Sequence, residues 1–251
     1  MGELPRLADA FAYAWFLDFD GTLVDIAPRP DAVRLSQRTR ALVQCLIAGT
    51  GGAVAILTGR TVDCIDRYFE PLRLPVAGVH GNERRDAVGR FREALPAEHF
   101  CETVRRVLCP LINAEPGLLL ERKHGAVALH YRNRPELETD CLHAMETVVA
   151  ALPGYRVGRG KMVVEALPDH SDKGHALLAF LAEPPFKGRL PVMVGDDVTD
   201  EDAFQRVNDL GGVTIRVGEG ATIARYRAAS AHAFITWLEQ LVASPPSDGS
   251  A

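Results

Sequence analysis

The sequence has 251 residues, of which 47% are apolar and 24% are charged, and its formal net charge is −5. This composition is typical of a globular protein with a core large enough to position a catalytic site, and it excludes disordered and fibrous classes. The acidic balance argues against a nucleic-acid partner, which requires a basic surface. Five scattered cysteines without a C-x-x-C pair argue against a zinc site or a disulfide scaffold. With no long apolar run and no secretion signal, we expect a cytoplasmic protein without a membrane partner.

Short, continuously apolar segments alternate with longer amphipathic ones at both ends of the chain. The apolar segments predict buried strands at residues 13–19, 53–57, 75–79, 191–194 and 213–217. The amphipathic segments predict helices at residues 36–47, 62–69, 173–181, 201–207 and 234–241. This alternation indicates an α/β fold with a doubly wound parallel sheet, Rossmann-like, and with helices on both faces.

The middle of the chain has a different pattern. Helical segments at 97–111 and 136–151 alternate with paired strands at 117–122, 126–132, 155–158 and 162–165. Adjacent strands with glycine turns indicate antiparallel hairpins, so we predict an inserted α+β cap domain at residues 87–168. The core domain then combines residues 1–86 and 169–243, and residues 244–251 form a flexible tail. The expected site is the cleft between the sheet edge and the inserted domain.

The first predicted strand ends with two carboxylates one residue apart, Asp18 and Asp20. An extended backbone points both side chains the same way, which suits a nucleophile and a proton carrier. Gly21 permits a sharp turn, and Thr22 offers a hydroxyl and an N–H to an anion. A turn rich in Asp and Gly that has no catalytic role accounts for the same residues.

Two further segments place polar groups where a strand meets a helix. Thr58, Gly59 and Arg60 follow the second strand and suit a phosphate oxygen held by side-chain and backbone donors. Lys173 opens a later helix, where a solvated lysine is the alternative interpretation.

The fourth predicted strand runs into an acidic segment, residues 195–202. Thr199 and Asp202 fit a capping box, an interpretation that leaves Asp196 and Asp197 unexplained. Carboxylates at this strand end, opposite Asp18, form an oxygen-rich site for a hard cation. Mg²⁺ is the usual cation when phosphate is present.

In this order, the motifs D-x-D-G-T, T-G-R, a lysine before a helix and G-D-D-x-x-D resemble those of the haloacid dehalogenase-like phosphohydrolases. The segments between them narrow the resemblance to the trehalose-6-phosphate phosphatases, at residues 77–86, 120–123, 128–132 and 160–165. It extends from about residue 15 to residue 241. Thr58 stands where many members have Ser, and Asn82 where many have Ala. Neither change removes a required hydroxyl or charge.

The resemblance implies hydrolysis of trehalose 6-phosphate to trehalose and phosphate with Mg²⁺, the final step of trehalose biosynthesis, and a functional link to a trehalose-6-phosphate synthase. It implies that Asp18 attacks phosphorus to form an aspartyl-phosphate while Asp20 serves as acid and then as base. Mg²⁺ would be held by the Asp18 carboxylate, the Asp20 carbonyl and Asp196. Thr58 and Lys173 would complete the catalytic set by binding phosphoryl oxygens.

We also expect a set of substrate ligands. Around the phosphate they are Gly21, Thr22, Gly59 and Arg60. For the sugar they are Glu121, Lys123 and Glu165 on the inserted domain, with His80, Glu83 and Arg84 on the opposite wall. Asp197 and Asp200 would orient Lys173 or a metal-bound water from behind. A solvated ion pair on one strand face is the alternative for Glu121 and Lys123.

Other functions stay open at this point. A related phosphatase for sucrose phosphate or mannosylglycerate phosphate would share the core motifs, and only the inserted segments argue against it. A phosphomutase would return the phosphoryl group instead of releasing phosphate. A receiver-like signalling module would carry its acidic pair and its acceptor on separate strands, without an inserted domain. A noncatalytic sugar-phosphate sensor would need no positioned nucleophile.

Overall fold

The computed structural model describes residues 4–27, 29, 32–93, 99–123, 125–169 and 172–243. The strands are β1 (Ala14–Leu17), β2 (Val54–Leu57), β3 (Val76–Gly78), β4 (Glu83–Arg85), β5 (Phe91–Glu93), β6 (Leu119–Lys123), β7 (Ala126–His130), β8 (Tyr155–Gly160), β9 (Val163–Pro168), β10 (Pro191–Gly195), β11 (Val213–Val217) and β12 (Tyr226–Ala228). The helices are α1 (Gln37–Thr50), α2 (Val62–Phe69), α3 (Phe100–Ala114), α4 (Glu138–Ala150), α5 (Lys173–Leu181), α6 (Glu201–Asp209) and α7 (Ala231–Ala243).

The larger of two sheets has eight strands in the order β12-β11-β10-β1-β2-β3-β4-β5. The strands from β12 to β3 are parallel, whereas β4 and β5 add an antiparallel hairpin at one edge. All five strands predicted for this sheet are present, and the predicted doubly wound α/β core is confirmed. The sequence did not predict β4, β5 and β12, because each has only three residues and carries charged side chains in place of a continuous apolar run.

Both faces of this sheet are covered by helices, as the continuously apolar strands predict. In β1, Trp15 and Leu17 face one hydrophobic cluster, which α1, α2 and α7 complete. Phe16 faces the other cluster, which α5 and α6 complete, and its ring stacks on Phe186 at 5.5 Å between centroids. Burial on both faces holds the carboxyl ends of the strands in place, and these ends carry the acidic motifs.

The smaller sheet is antiparallel, in the order β6-β7-β9-β8, and α3 and α4 cover one of its faces. Side chains of a strand alternate between the two faces. Val164 and Ala166 of β9 therefore pack in the cluster under the helices, and Glu165 projects from the opposite face. The uncovered face lies over the carboxyl ends of the larger sheet, so the two sheets enclose a cleft.

The division into a core of residues 1–86 and 169–243 and an insertion at 87–168 stays a prediction. Within that insertion, β5 pairs with β4 and so belongs to the larger sheet. The predicted tail, residues 244–251, lies outside the described residues. None of the described helices combines the length and the apolar character that crossing a membrane requires.

Candidate active site

The acidic motifs converge because β1 and β10 are neighbours in the parallel sheet. Leu17 pairs with Val194, and the Asp18 N–H donates to the Val194 carbonyl at 2.9 Å. Asp18 and Asp196 thus leave the sheet at the same edge. Carboxylate oxygens of Asp18, Asp196 and Asp200 lie within 4.8 Å of one another.

Lys173 lies buried between two of these carboxylates. Its ammonium donates to Asp18 and to Asp200, at 2.7 Å in each case. Burial disfavours the charged ammonium, but both carboxylates outweigh this effect and raise the pKa of Lys173. Burial also raises the pKa of Asp18; Lys173 opposes the rise, and Asp200 and Asp196 add to it. Lys173 is therefore the fixed positive charge that opposes the effect of burial on Asp18.

Asp200 supports the site from below instead of facing the cleft. One of its oxygens accepts from Lys173, and the other accepts the backbone N–H groups of Asp196 and Asp197, at 3.0 Å each. Both oxygens are therefore engaged within the protein. Asp200 orients Lys173 and shapes the acidic turn, while Asp18 and Asp196 keep carboxylate oxygens for a cation.

The capping box in this turn differs from the predicted one. We expected it between Thr199 and Asp202, but it joins Asp197 and Asp200 across the 3-10 turn Val198–Asp200. The prediction assumed that the helix starts directly, whereas a 3-10 turn precedes α6 and moves the cap. The second oxygen of Asp197 accepts the backbone N–H of Lys161 at 3.1 Å, so this turn also contacts the hairpin of β8 and β9.

The donor set at Asp18 and Asp196 fits a small divalent cation. Hard carboxylate oxygens at a phosphate site are the ligands that Mg²⁺ prefers. The ammonium of Lys161 also donates to Asp196, which marks this position as one that attracts positive charge. The residues present therefore agree with a bound metal ion.

Gly21 makes room for Asp196 in this site. Its φ is +82°, and a Cβ at this position would lie 2.2 Å from the Asp196 carboxylate. The turn predicted at Gly21 is present, and its lack of a side chain serves the acidic cluster. Thr22, next in the chain, is fully buried, and its hydroxyl has no hydrogen-bond partner among the described residues.

We expect Gly21→Ala to lower the activity of the site about 10²-fold, since the Asp196 carboxylate must move by an ångström or more. The matched control is Gly154→Ala, where φ is +83° and nothing lies within 4 Å of the added Cβ. Backbone strain costs each variant about 1–3 kcal/mol of unfolding free energy. Steady-state rates and urea unfolding of both variants check this. Equal activity in the two would show that the crowding against Asp196 is unimportant.

The loop after β2 forms the next part of the cleft. The Thr58 hydroxyl accepts the Arg60 N–H at 3.1 Å, and both residues line the cleft. Arg60, expected among the phosphate ligands, donates to both oxygens of Asp20, at 2.6 and 2.7 Å. Its guanidinium also lies 5.5 Å from the centroids of the Phe19 and Tyr68 rings. Arg60 thereby holds Asp20 at the edge of the cleft.

The smaller sheet contributes a network of charges to the opposite wall. Lys123 donates to Glu165 at 2.7 Å, and Glu121 contacts the His130 ring at 2.8 Å. His80, from the larger sheet, contacts the second oxygen of Glu165 at 2.8 Å. Burial opposes ionisation of Glu165, but Lys123 and His80 outweigh it and lower its pKa. Glu121 and Lys123 therefore belong to a hydrogen-bonded network of charged side chains. They do not form the isolated, solvated ion pair of the alternative interpretation.

Comparison with known proteins identifies the family. The family model described as trehalose-phosphatase matches residues 16–232. The chain belongs to the trehalose-phosphatase family. It is therefore a phosphoric monoester hydrolase, as predicted.

Individual relatives agree with this family. The trehalose-6-phosphate phosphatase of Escherichia coli K12 is 39% identical over 239 residues, which cover 95% of this chain and 89% of that protein. A probable trehalose-phosphate phosphatase of Sinorhizobium fredii is 44% identical over 207 residues, covering 82% and 78%. The C-terminal domain of a Candida albicans trehalose-6-phosphate phosphatase shares the fold, with a TM-score of 0.80, 20% identity and coverage of 91% of both chains.

Glu83 and Arg84 of this trehalose-phosphatase family member do not line the described cleft, contrary to our expectation. The Glu83 carboxylate accepts the N–H of Val62 at 2.8 Å, at the start of α2. Arg84 lies over the Phe180 ring at 4.2 Å and pairs with Glu183. Both residues belong to the antiparallel strand β4, which the sequence did not predict, and this strand directs them away from the cleft.

Most of the other predicted residues line the cleft of the phosphatase: Asp18, Asp20, Thr58, Gly59, Arg60, His80, Glu121, Lys123, Glu165, Lys173, Asp196 and Asp197. Gly21, Thr22 and Asp200 are not among the residues that line it. Prediction missed Lys161, Arg132 and His130, which line it as well. Arg132 donates to the Ala27 carbonyl at 3.1 Å and so joins the two walls. Strand alternation from Glu121 and Glu165 would have indicated His130, which lies on the same face of the sheet.

Proposed function

We propose that this phosphatase hydrolyses trehalose 6-phosphate to trehalose and inorganic phosphate, with Mg²⁺, through an aspartyl-phosphate on Asp18. One observation carries the proposal: a single cleft holds the buried pair of Asp18 and Lys173 on one wall and the network of Glu121, Lys123 and Glu165 on the other. The first wall suits a phosphoryl group, and the second suits a polyhydroxylated ring. The E. coli relative, named for this substrate, supports the choice of sugar.

Asp18 is the proposed nucleophile. Its hydrogen bond to Lys173 fixes one carboxylate oxygen, so the other is directed to the phosphorus. Attack forms the Asp18–phosphate bond and breaks the bond to the sugar oxygen, which divides one difficult displacement into two easier steps. Lys173 and Thr58 stabilise the charge on the equatorial phosphoryl oxygens. Asp200 keeps Lys173 in place during both steps.

Asp20 is the proposed acid and base. It gives a proton to the departing sugar oxygen and later takes one from the water that hydrolyses the aspartyl-phosphate, a role worth about 10²–10⁴-fold in rate. Arg60 donates to both oxygens of Asp20 and so fixes the position of this carboxyl group at the edge of the cleft.

Asp18, Asp196 and the Asp20 carbonyl are the proposed ligands of Mg²⁺. The bound ion supplies positive charge that screens the repulsion between the Asp18 carboxylate and the phosphate dianion. Asp197 supports the ligand turn from behind, through its bonds to Val198 and to the Lys161 backbone.

The network on the smaller sheet is the proposed site for the glucose that carries no phosphate. Carboxylates accept hydrogen bonds from sugar hydroxyls, and the ammonium of Lys123 donates to them. Glu165 and Lys123 are both buried and bonded to each other, so their positions are set before a sugar binds. A site preorganised in this way discriminates between sugar phosphates that differ in the positions of their hydroxyl groups.

The test is phosphate release from a panel of sugar phosphates after removal of metal with EDTA. We expect activity only when Mg²⁺ is returned, because Asp18 and the phosphate otherwise repel each other. We expect kcat/KM for trehalose 6-phosphate to exceed those for sucrose 6-phosphate, mannosylglycerate phosphate and glucose 6-phosphate by at least about tenfold, the effect of one lost hydrogen bond to a charged group. Equal values across the panel would contradict the substrate, and full activity without metal would contradict Mg²⁺.

We also propose that the enzyme acts in the cytoplasm, downstream of a trehalose-6-phosphate synthase, as the final step of trehalose biosynthesis. All five cysteines are free, which suits a reducing compartment. Deletion of the gene tests this: trehalose 6-phosphate should accumulate while trehalose disappears, and antibody detection should find the protein in the cytosolic fraction. Normal trehalose content in the deletion strain would contradict the pathway step.

A further inference from the structure

His80 joins the two walls of the cleft. It follows β3 of the larger sheet, and its ring nitrogen Nε2 lies 2.8 Å from Oε2 of Glu165, on β9 of the smaller sheet. Both side chains are more than nine-tenths buried. The other ring nitrogen, Nδ1, is buried as well and has no hydrogen-bond partner among the described residues. Among the described residues, the ring of His80 therefore forms one hydrogen bond, the one with Glu165.

The loop that holds phosphate in the proposed function fixes the position of this ring. The N–H of His80 donates to the Thr58 carbonyl, and the N–H of Val79 donates to the Arg60 carbonyl, both at 2.9 Å. A Cβ on Gly59 would lie 2.7 Å from Nε2, so the ring packs directly against the backbone of Gly59. His80 is thus bonded to the phosphate loop through its backbone and to the sugar wall through its ring.

The backbone around His80 adopts a conformation that side chains disfavour. Val79 has φ = 49° and His80 has φ = 54°, two consecutive left-handed residues that are not glycine. A β-branched residue is rare in this region, and such strain persists only where the surroundings impose it. The strained turn directs the ring across the cleft instead of along the sheet.

Glu165 is held by two donors that come from different sheets. Lys123 donates to Oε1 at 2.7 Å from the adjoining wall, and His80 occupies Oε2. Without the His80 ring, Glu165 keeps one fixed oxygen and gains freedom to rotate about its last torsion, because the terminal torsion of Glu is broad. A carboxylate that selects sugar hydroxyls by position then loses its selectivity.

We propose that His80 is a positioning residue for sugar recognition, which orients Glu165 from the phosphate loop. The glucose without phosphate is then bound at a fixed distance from the phosphate that is hydrolysed. The inference rests on the proposed function and extends it to a residue of the larger sheet. His80 acts through Glu165, and no contact between His80 and the reacting atoms is required.

Two substitutions separate this role from general stability. In His80→Gln the side-chain amide reaches the place of Nε2 and still donates to Glu165, whereas in His80→Asn the amide stops at the place of Nδ1. Asn tolerates left-handed backbone better than other non-glycine residues, so the shorter variant introduces no new backbone strain. The matched control is His143→Asn, on the exposed surface of α4.

Activity is measured with trehalose 6-phosphate and with p-nitrophenyl phosphate, which lacks a sugar. We expect His80→Asn to raise KM for trehalose 6-phosphate and lower its kcat/KM about tenfold, the effect of one hydrogen bond to a charged group. We expect kcat/KM for p-nitrophenyl phosphate to change less than twofold. His80→Gln should recover most of the loss, and His143→Asn should match the wild type. Unchanged discrimination in His80→Asn would overturn the inference.

A double substitution tests whether His80 acts through Glu165. Groups that act through one another give non-additive effects, so His80→Asn should change little in a Glu165→Ala background. Additive losses would show that His80 touches the sugar independently and would overturn the positioning role. If the Glu165→Ala protein does not hydrolyse p-nitrophenyl phosphate, Glu165→Gln takes its place as the variant that keeps the side-chain shape.

The outcome for the wild type distinguishes this inference from the proposed function. If the wild type prefers trehalose 6-phosphate and His80→Asn keeps that preference, the positioning role of His80 is contradicted and the proposed function stands. A wild type without that preference removes the proposed substrate, and the role of His80 in recognising it falls with it.

Discussion

Asp18→Asn will reduce phosphate release by more than about 10⁴-fold, the size of loss seen when a catalytic nucleophile is removed. An amide of the same shape keeps the packing at the end of β1 but offers no nucleophilic carboxylate. Lys173 keeps its bond to Asp200, so the buried ammonium still has an anionic partner. The variant should therefore remain folded, and loss of activity will report on chemistry.

Two measurements check this prediction. Steady-state phosphate release from trehalose 6-phosphate measures the rate, and thermal unfolding confirms the fold. Asp25→Asn is the matched control, because Asp25 is exposed and lies in the same turn region. Acid quenching of the wild type during turnover should leave phosphate attached to the protein, and hydroxylamine should release it as it does other acyl phosphates. An Asp18→Asn enzyme with a rate near that of the wild type would exclude Asp18 as the nucleophile.

Lys173→Met will destabilise the protein by about 3–5 kcal/mol, the range expected when one partner of a buried ion pair is removed. The side chain of Met has a similar length, so the loss will come from charge and not from a cavity. Asp18 and Asp200 would then face each other in the protein interior without a cation. For a chain of this size we expect a fall in Tm of roughly 6–20 °C. Phosphatase activity should be lost as well, since Lys173 is also the proposed partner of the phosphoryl oxygens.

The loss of stability in Lys173→Met should depend on pH with a definite sign. Burial already raises the pKa of Asp18, and removal of Lys173 raises it further because the ammonium opposed that rise. An acid with a raised pKa binds its proton more tightly in the folded state, so folding stability increases as pH falls. The difference in unfolding free energy between Lys173→Met and the wild type should be largest near pH 7. It should shrink towards about pH 4, where carboxylates of the unfolded chain also protonate.

Urea unfolding at a series of pH values measures this effect. Lys187→Met is the matched control, because Lys187 is exposed and outside the cleft. We expect the control to lie within about 0.5 kcal/mol of the wild type, as exposed substitutions usually do. A Lys173→Met protein that is as stable as this control at pH 7 would show that the two carboxylates do not depend on the ammonium.

Local patterns in the chain were sufficient for the main elements of the fold. Each of the five strands predicted for the larger sheet is a short apolar run, and the turns after β1, β2 and β10 carry acidic or hydroxyl groups. The carboxyl ends of parallel strands meet at one edge of a sheet, so a cleft lined by these groups could be expected there. The pair Asp18 and Asp196 could be predicted on this ground, because both follow strands that adjoin in a parallel sheet. The strand β4 was missed because it is short and consists of charged residues, so it shows no apolar pattern.

The tertiary structure alone decided the pairings between polar side chains that are distant in the sequence. Arg60 pairs with Asp20 from 40 residues away and His80 with Glu165 from 85 residues away, and nothing local to either residue indicates these pairings. Glu83 accepts the N–H of Val62, the first residue of α2, instead of lining the cleft for the same reason. Periodicity reports which face of an element is apolar, because burial acts on each residue separately. Hydrogen-bond partners depend on distance and direction between elements, and these are set only when the two sheets pack.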